Sequence, residues 1–159
     1  MNRLCFPALV LALTPAFAGD TFTRPEVIRW GSGIAELEGA LSAGKLCERR
    51  NTRRIDPPFL EDIHDRQMQI DCEGFPFMGK PRHVEFVIGD DSLEMVWIMT
   101  TAAEADALIE AMTHAYGAPT RRSAKYVAFE RERAALRFQP AEVLFYSPRV
   151  AASVESEFK

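Results

Sequence analysis

Two cysteines far apart in the chain offer the clearest chemistry in this 159-residue sequence. Thiols can form a disulfide, act as a redox pair or bind a metal ion. Cys5 falls in an apolar leader, so only Cys47 and Cys72 remain once that leader is removed. Catalytic dithiols favour a C-x-x-C spacing, whereas these two are about 25 residues apart. We therefore predict a structural Cys47–Cys72 disulfide, whose loop closure stabilises the fold by roughly 3–4 kcal/mol.

The segment Glu61-Asp62-Ile63-His64-Asp65 combines carboxylates with an imidazole, which are ligand types for a divalent cation. Side chains that are adjacent in sequence rarely converge on one ion without a turn, and a metal site also needs ligands from other segments. We therefore interpret residues 61–65 as a solvated acidic loop. The sequence predicts no metal site and no cofactor.

A dense run of arginines is the best candidate contact surface by charge. Its members are Arg49, Arg50, Arg53 and Arg54, with Arg121 and Arg122 as further candidates. Such a patch can grip an acidic protein, a sulfated or phosphorylated glycan, or lipid headgroups. The alternative is structural, because the same arginines can neutralise the acidic segment 61–65.

No catalytic constellation is visible in the sequence. Nucleophile elbow, P-loop, dinucleotide fingerprint and zinc-protease motifs are all missing. His83 and His114 stand without an evident partner for general acid–base chemistry, which needs a positioned group and a pocket. The formal net charge of −4 argues against general nucleic-acid binding, which favours a basic face. We therefore predict a protein without catalytic residues.

The N-terminus has the three-part pattern of a secretory signal peptide. Arg3 precedes an apolar run over residues 4–13, Pro15 interrupts it, and Ala16-Phe17-Ala18 provides small residues at a cleavage site. We predict cleavage after Ala18, which leaves residues 19–159 as a single domain in the periplasm or outside the cell. No later segment is long and apolar enough to span a membrane, so no stable span is expected after cleavage.

Hydrophobic periodicity predicts two repeats of one helix followed by three strands. The helices cover residues 32–43, with Ser32 as cap, and 101–116; the strands cover 67–72, 82–88, 93–99, 125–130, 134–138 and 143–146. Residues 48–66 read as an irregular segment around Pro57-Pro58. The predicted fold is α+β: a two-layer sandwich in which two helices cover one face of a mainly antiparallel sheet of five to six strands, in the order α-βββ-α-βββ.

One sheet face is predicted to remain open for binding. If the helices cover the face of Met68, Phe86 and Trp97, the other face mixes polar with apolar groups. Its predicted members are Gln67, Gln69, Asp71, His83, Glu85, Val87, Glu94, Val96 and Ile98. Such a mixture is typical of a recognition surface, but it also fits a second core layer covered by the tail or the irregular segment.

The order of turn and helix-cap residues in the segment 67–119 resembles that of a group of known proteins. A glycine-bounded strand is followed by the D-D-x-L hairpin at Asp90, the T-x-x-E helix start at Thr101 and Y-G-x-P at Tyr116. This order resembles small exported bacterial α+β proteins of unassigned function. More loosely, it is similar to secreted inhibitor domains that bind enzymes through an open sheet face.

These observations lead to one main functional hypothesis and two alternatives. The main hypothesis is a non-catalytic binding or inhibitor-like module of the periplasm or extracellular space, whose partner is a protein or small ligand of the cell envelope. The first alternative is a carrier for a small ligand or lipid, with a pocket between the sheet and the irregular segment. The second is an enzyme such as a hydrolase, which would need a cleft that sets a histidine against a carboxylate.

Overall fold

The computed structural model describes residues 21–159, so the predicted signal peptide lies outside the described residues. Within these residues, three α-helices and eight β-strands are present: α1 and α2 are each followed by four strands, and α3 comes last. The helices are α1 (Ile34–Ala43), α2 (Ala105–Tyr116) and α3 (Ala151–Ser156). The strands are β1 (Arg49–Ile55), β2 (Gln67–Phe77), β3 (Lys80–Gly89), β4 (Ser92–Met99), β5 (Arg121–Arg122), β6 (Tyr126–Phe129), β7 (Ala134–Phe138) and β8 (Ala141–Tyr146).

All eight strands form one antiparallel sheet in the order β1-β2-β3-β4-β8-β7-β6-β5. The strands β1–β4 form one meander and β5–β8 form a second, and the two meanders join where β4 pairs with β8. Each meander follows one helix, α1 or α2. The α+β class is therefore confirmed, but the predicted order α-βββ-α-βββ and the five to six strands are wrong, because each meander has one more strand.

The extra strand of the first meander is β1, which lies inside the segment predicted to be irregular. Its sequence is Arg-Arg-Asn-Thr-Arg-Arg-Ile, and Arg49–Arg54 are all exposed. No hydrophobic alternation marks it as a strand. Backbone pairing with β2 holds it in place, from Arg49 opposite Glu73 to Ile55 opposite Gln67. Charged residues are a common feature of sheet edges, where they hinder pairing with another chain.

The helices α1 and α2 cover the same face of the sheet, as predicted. Leu37 and Leu41 of α1 and Leu108 and Met112 of α2 are buried in one core with side chains of six strands. We call this side the α1/α2 face. Burial of this apolar surface supplies most of the favourable free energy of folding.

The start of α1 differs from its prediction. Its N-cap residue is Gly33, and Ser32 is buried without capping the helix. The free backbone N–H of Ile34 is instead satisfied by Asp91 Oδ1 at 3.2 Å, from the turn between β3 and β4. A carboxylate at this end also interacts favourably with the helix dipole. The helix is therefore capped by a distant hairpin.

The opposite face of the sheet is covered in part by α3 and by the β1–β2 connector, residues 56–66. Leu60 and Ile63 of the connector and Val154 and Phe158 of the C-terminal segment are buried against it. We call this side the α3 face. The two-layer prediction is therefore incomplete, because a partial third layer lies on the side predicted to be open.

The predicted disulfide is present between Cys47 and Cys72, whose Cα atoms are 5.3 Å apart. Cys47 follows the end of α1, and Cys72 lies in β2 and is fully buried. The bond therefore ties the exit of the first helix to the sheet. Disulfides persist mainly in oxidising compartments, so this bond is compatible with a protein that is secreted.

Candidate functional site

The prediction for the open face is wrong at β4. Val96 and Ile98 were predicted to lie on that face, but both are fully buried in the core under α1 and α2. Met95 and Trp97 lie on the α3 face instead. Because β4 carries apolar residues on both sides, its alternation alone does not distinguish the two faces.

A β-bulge determines the position of the Glu94 side chain. The β3–β4 register shifts between Val87 and Ile88, which leaves one unpaired residue in β4. Glu94, predicted to be part of the open face, is only 1% exposed. Its carboxylate accepts a hydrogen bond from Ser147 Oγ and forms an ion pair with Arg149 at 3.4 Å. Glu94 therefore has a structural role beside the C-terminal segment.

Two glutamines of β2 that were predicted to be open are also buried. Gln67 is 0% exposed, and its Oε1 accepts hydrogen bonds from the backbone N–H groups of Phe59 and Leu60 at 3.1 and 3.2 Å. Gln69 donates to Asp71 Oδ1 at 2.6 Å. Gln67 thus fixes the connector over the sheet, so this part of the predicted binding face is a second core layer.

Val87 is likewise buried on the α3 face. Of the residues predicted to form the open face, Asp71, His83 and Glu85 keep partial exposure. These three lie beside a cleft that α3 and the connector leave open.

The cleft on the α3 face has a volume of about 380 Å³. Its floor is formed by Met95, Trp97 and Leu144 of the two central strands, with Tyr126 at one side. Cavities of roughly 300–1,000 Å³ are typical of small-molecule sites. The cleft is therefore large enough for a small organic ligand.

Both walls of the cleft are anchored to the sheet, the connector through Gln67 and α3 through the buried Val154. Phe59, Leu60 and Glu61 of the connector form one wall, and Ser153 and Val154 belong to the α3 wall. Phe59 has 52% of its surface exposed, and it is the one exposed large hydrophobic residue among residues 21–159. An exposed phenyl ring at the mouth of a cleft is a candidate contact for an apolar ligand.

Arg137 and Trp97 meet inside the cleft. The Arg137 guanidinium carbon lies 4.3 Å from the centroid of the Trp97 ring, within the range of a cation–π interaction. Arg137 also forms an ion pair with the buried Glu142, its cross-strand partner. Burial raises the pKa of Glu142 to about 7, because the nearby Arg137 only partly offsets the loss of hydration and Glu85 adds a like charge.

The charged residues that line the cleft are mainly acidic. Glu61, Glu85 and Glu157 contribute carboxylates, and Arg137 contributes the single guanidinium. The potential at the cleft is therefore negative, and it favours ligands that carry a positive charge.

A second cluster of chemically active side chains borders the cleft through Glu85. One ligand-type atom from each of Asp71, His83 and Glu85 lies within 4.8 Å of the others. His83 Nδ1 is 2.8 Å from Glu73 Oε1, and its Nε2 is 3.7 Å from Glu85 Oε1. Carboxylates and imidazole at these distances can coordinate a divalent metal ion.

The arginines of the predicted basic patch lie along β1, at one edge of the sheet. Arg50 donates to the Glu38 carbonyl and to Ser42 Oγ of α1 at 3.1 and 3.0 Å. Arg53 pairs with Asp71 at 3.2 Å, so this arginine neutralises a strand carboxylate rather than the segment 61–65. Arg121 and Arg122 do not join the patch, because β5 forms the opposite edge of the sheet.

The acidic segment 61–65 does not converge on one point. Asp62 Oδ2 accepts a hydrogen bond from Ser153 Oγ at 2.7 Å, and Ile63 is buried on the α3 face. The backbone N–H groups of His64 and Asp65 donate to the carboxylate of Asp90 at 3.3 and 2.9 Å. The segment is therefore anchored at several points on the α3 face.

Sequence reasoning missed Arg137, Tyr126 and Phe59 as cleft residues, and it missed Glu142 as the buried partner of Arg137. Arg137 and Glu142 also face each other only because β7 and β8 pair in this register. The contact of Arg137 with Trp97 of β4, by contrast, depends on tertiary structure.

Within residues 21–159, no helix has the length and apolar character needed to cross a membrane. Comparison of the chain with protein-family models, with curated proteins and with solved structures gives no significant match.

Proposed function

We propose that this protein is a non-catalytic binding protein for a small ligand that combines a flat apolar body with a positively charged group. The ligand occupies the cleft of about 380 Å³ between the sheet, the connector and α3. The single observation that carries the proposal is the pairing of aromatic surface with an excess of carboxylates in one cavity of ligand size.

The apolar body is accommodated by the floor and the mouth of the cleft. Trp97 and Tyr126 present aromatic surface, Met95 adds a polarisable side chain, and Phe59 lies exposed at the rim. Ligand pockets typically combine such apolar walls with a few placed polar groups. Because Gln67 holds the backbone at Phe59 and Leu60, the connector wall is formed before the ligand arrives.

The positive charge is accommodated by Glu61, Glu85 and Glu157. A cationic ligand gains from these carboxylates, and an aromatic face beside it adds a cation–π term of about 0.5–2 kcal/mol. An anionic ligand would instead meet three like charges and the one guanidinium of Arg137. The same three carboxylates therefore favour a cationic ligand and disfavour an anionic one.

This proposal follows the carrier hypothesis rather than the module that binds a protein through an open sheet face. The predicted open face loses Gln67 and Glu94 to burial, and Val96 and Ile98 lie on the other side of the sheet. The part of this face that stays accessible is a cleft. A cleft is better suited to a small ligand than to the flat surface of a protein partner. The disulfide supports a site of action outside the cytosol.

The test uses three probes of similar shape and different charge: 2-phenylethylamine, 2-phenylethanol and 3-phenylpropionate. Trp30 and Trp97 are the two tryptophans of the chain, so a Trp30→Phe background makes the fluorescence specific for the cleft. We expect 2-phenylethylamine to change Trp97 fluorescence with a dissociation constant of roughly 1 mM or below, the range for a ligand of this size. The alcohol should bind more weakly and the propionate most weakly.

Three variants separate the apolar from the electrostatic contribution. Phe59→Ser should weaken all three probes, since it removes the exposed ring. The double variant Glu61→Gln, Glu157→Gln should weaken only the amine, by several-fold. Glu110→Gln, an exposed carboxylate on α2, is the matched control and should change nothing. Equal affinity for the amine and the propionate, or unchanged binding in Phe59→Ser, would count against the proposal.

A further inference from the structure

Adjacent strands bring three metal-ligand side chains to one point at the end of the cleft. Asp71 of β2 and Glu85 of β3 are direct cross-strand partners. His83 precedes Glu85 by two residues, so its side chain lies on the same face. One ligand atom from each residue lies within 4.8 Å of the other two. This juxtaposition depends on the β2–β3 register, and Glu85 is the residue that it shares with the cleft.

The imidazole of His83 is held in an orientation that suits metal binding. Its Nδ1 lies 2.8 Å from Glu73 Oε1, and the Nε2 atom lies 3.7 Å from Glu85 Oε1. Metal-bound histidines commonly donate one ring N–H to a carboxylate and coordinate through the other nitrogen. With Nδ1–H donated to Glu73, Nε2 carries the free lone pair on the side of Glu85.

The carboxylate of Asp71 is also held in place by hydrogen bonds from neighbouring side chains. Its Oδ1 accepts from Gln69 Nε2 at 2.6 Å, and its Oδ2 accepts from Arg53 Nε at 3.2 Å and from Asn51 Nδ2 at 3.5 Å. A carboxylate has about four acceptor sites, so these three hydrogen bonds leave about one lone pair for a cation. Two ligands therefore have second partners that fix them before any ion is bound.

The charge balance also favours a cation at this point. Glutamate and aspartate side chains directly opposite each other in a sheet repel. Asp71 and Glu85 are such a pair, and Glu73 adds a third carboxylate beside His83. The arginine that offsets them, Arg53, has 48% of its side chain exposed, so solvent screens it.

We propose that Asp71, His83 and Glu85 bind one divalent transition-metal ion of the Zn²⁺ type, with Glu73 as a positioning residue and water in the remaining positions. Ligand atoms at 2.0–2.2 Å from Zn²⁺ lie roughly 3–4 Å apart, so small side-chain rotations close the present gaps. The imidazole nitrogen selects against Ca²⁺ and Mg²⁺, which prefer oxygen ligands.

The test titrates Zn²⁺ into untagged protein with its disulfide formed, by calorimetry and by competition with a chromophoric chelator. We expect one ion per chain, displaced poorly by excess Mg²⁺ or Ca²⁺. His83→Gln should weaken Zn²⁺ binding by at least 50-fold. Asp71→Asn and Glu85→Gln should each weaken it about tenfold or more, and Glu73→Gln by about tenfold, as expected for a residue that acts through a ligand.

The other two histidines of the chain, His64 and His114, provide matched controls. His64→Gln and His114→Gln should keep the wild-type affinity. Nitrogen-15 NMR of the imidazoles adds a direct readout, in which Zn²⁺ shifts Nε2 of His83 while Nδ1 stays protonated. Wild-type affinity in His83→Gln, loss of binding in His64→Gln, or equal competition by Ca²⁺ would overturn the proposal. Circular dichroism without metal checks that His83→Gln is folded.

Discussion

Asp90 and Arg149 form an ion pair that joins the two walls of the cleft. Arg149 Nη2 donates to Asp90 Oδ2 at 2.5 Å and to the carbonyl oxygen of Asp62 at 2.8 Å. The same Asp90 carboxylate accepts hydrogen bonds from the backbone N–H groups of residues 64–66 at 2.9–3.3 Å. One carboxylate in the β3–β4 turn thus holds the connector and the segment before α3 together.

Removing this carboxylate should loosen both walls. In Asp90→Ala, the backbone N–H groups of residues 64–66 lose their acceptor, and Arg149 loses its partner. We expect a lower Tm and faster hydrogen exchange at residues 64–66, while the amides of β3 and β4 away from the turn keep their protection. Asp106→Ala, an exposed carboxylate in the first turn of α2, is the control. Unchanged exchange at residues 64–66 would mean that Asp90 does not anchor the connector.

The same carboxylate should also contribute to the loss of stability in acid. Hydrogen bonds from Arg149 and from the connector backbone hold the pKa of Asp90 well below its ordinary value. Its contribution is therefore complete above the unfolded pKa of about 3.9 and is lost as the pH falls toward the lower folded pKa. The difference in unfolding free energy between wild type and Asp90→Asn should shrink between pH 5 and pH 2. A constant difference would contradict this assignment.

Features with local causes were predictable from the sequence. The capping box of Thr101 and Glu104 is present, and α2 ends at Tyr116 before Gly117, which has φ +81°. The hairpin at Asp90 and Asp91 also forms where its residues indicate, with positive φ at both positions. Each of these depends on neighbours within a few residues, so the signal is complete in a short window.

Features with distant causes were not predictable. The cap of α1 comes from Asp91, which lies 57 positions after Ile34. The strand at Arg49–Ile55 shows no apolar pattern and depends on pairing with β2. The cleft is still harder to predict from the sequence. It requires the strand register, the bulge between β3 and β4 and the packing of the C-terminal segment on the sheet, all together. Sequence patterns specify which face a strand buries only when one face is clearly polar.

The absence of a side chain at Gly89 should allow the connector to pack closely on the sheet. A Cβ atom built at this position would lie 1.9 Å from Ile63 Cδ1, so the buried Ile63 occupies the space of the missing side chain. We expect Gly89→Ala to reduce the free energy of unfolding by about 1–3 kcal/mol, the usual effect of overpacking. Chemical denaturation provides the measurement.

Gly39 offers a matched control for that substitution. It lies inside α1, and a Cβ atom there meets nothing within 4 Å. Gly39→Ala should therefore stabilise the protein by about 0.5–1 kcal/mol, because alanine has the higher helix propensity. The opposite signs of the two Gly→Ala changes are the prediction, and a loss of stability in both would show that alanine is disfavoured for another reason.

The Cys47–Cys72 disulfide should be a major source of stability. It closes a loop with a sequence separation of 25 residues. The chain-entropy model gives such a cross-link about 3.5 kcal/mol, mostly by restricting the unfolded chain. We expect the double variant Cys47→Ala, Cys72→Ala to unfold at a correspondingly lower denaturant concentration. A reducing agent should destabilise the wild type and leave the double variant unchanged, and equal sensitivity of both would rule out this bond as the cause.

The buried carboxyl of Glu142 should make the protein less stable as the pH rises from about 4.5 to 7. Its side chain is 2% exposed, and burial raises its pKa from 4.5 to about 7. The folded state therefore binds a proton that the unfolded state releases in this interval, so ionisation above pH 7 costs on the order of 3 kcal/mol. Glu142→Gln removes that cost.

The measurement is the difference in unfolding free energy between Glu142→Gln and wild type at a series of pH values. We expect the difference to be small near pH 4.5, to grow in favour of the glutamine variant through pH 7, and to level off above it. Taking the difference cancels the opposite trend that Asp90 produces in acid. Glu110→Gln, on the exposed surface of α2, should show no such trend. If Glu142→Gln were instead less stable at pH 8, the ion pair with Arg137 would outweigh the cost of burial, and the pKa of Glu142 would be lowered rather than raised.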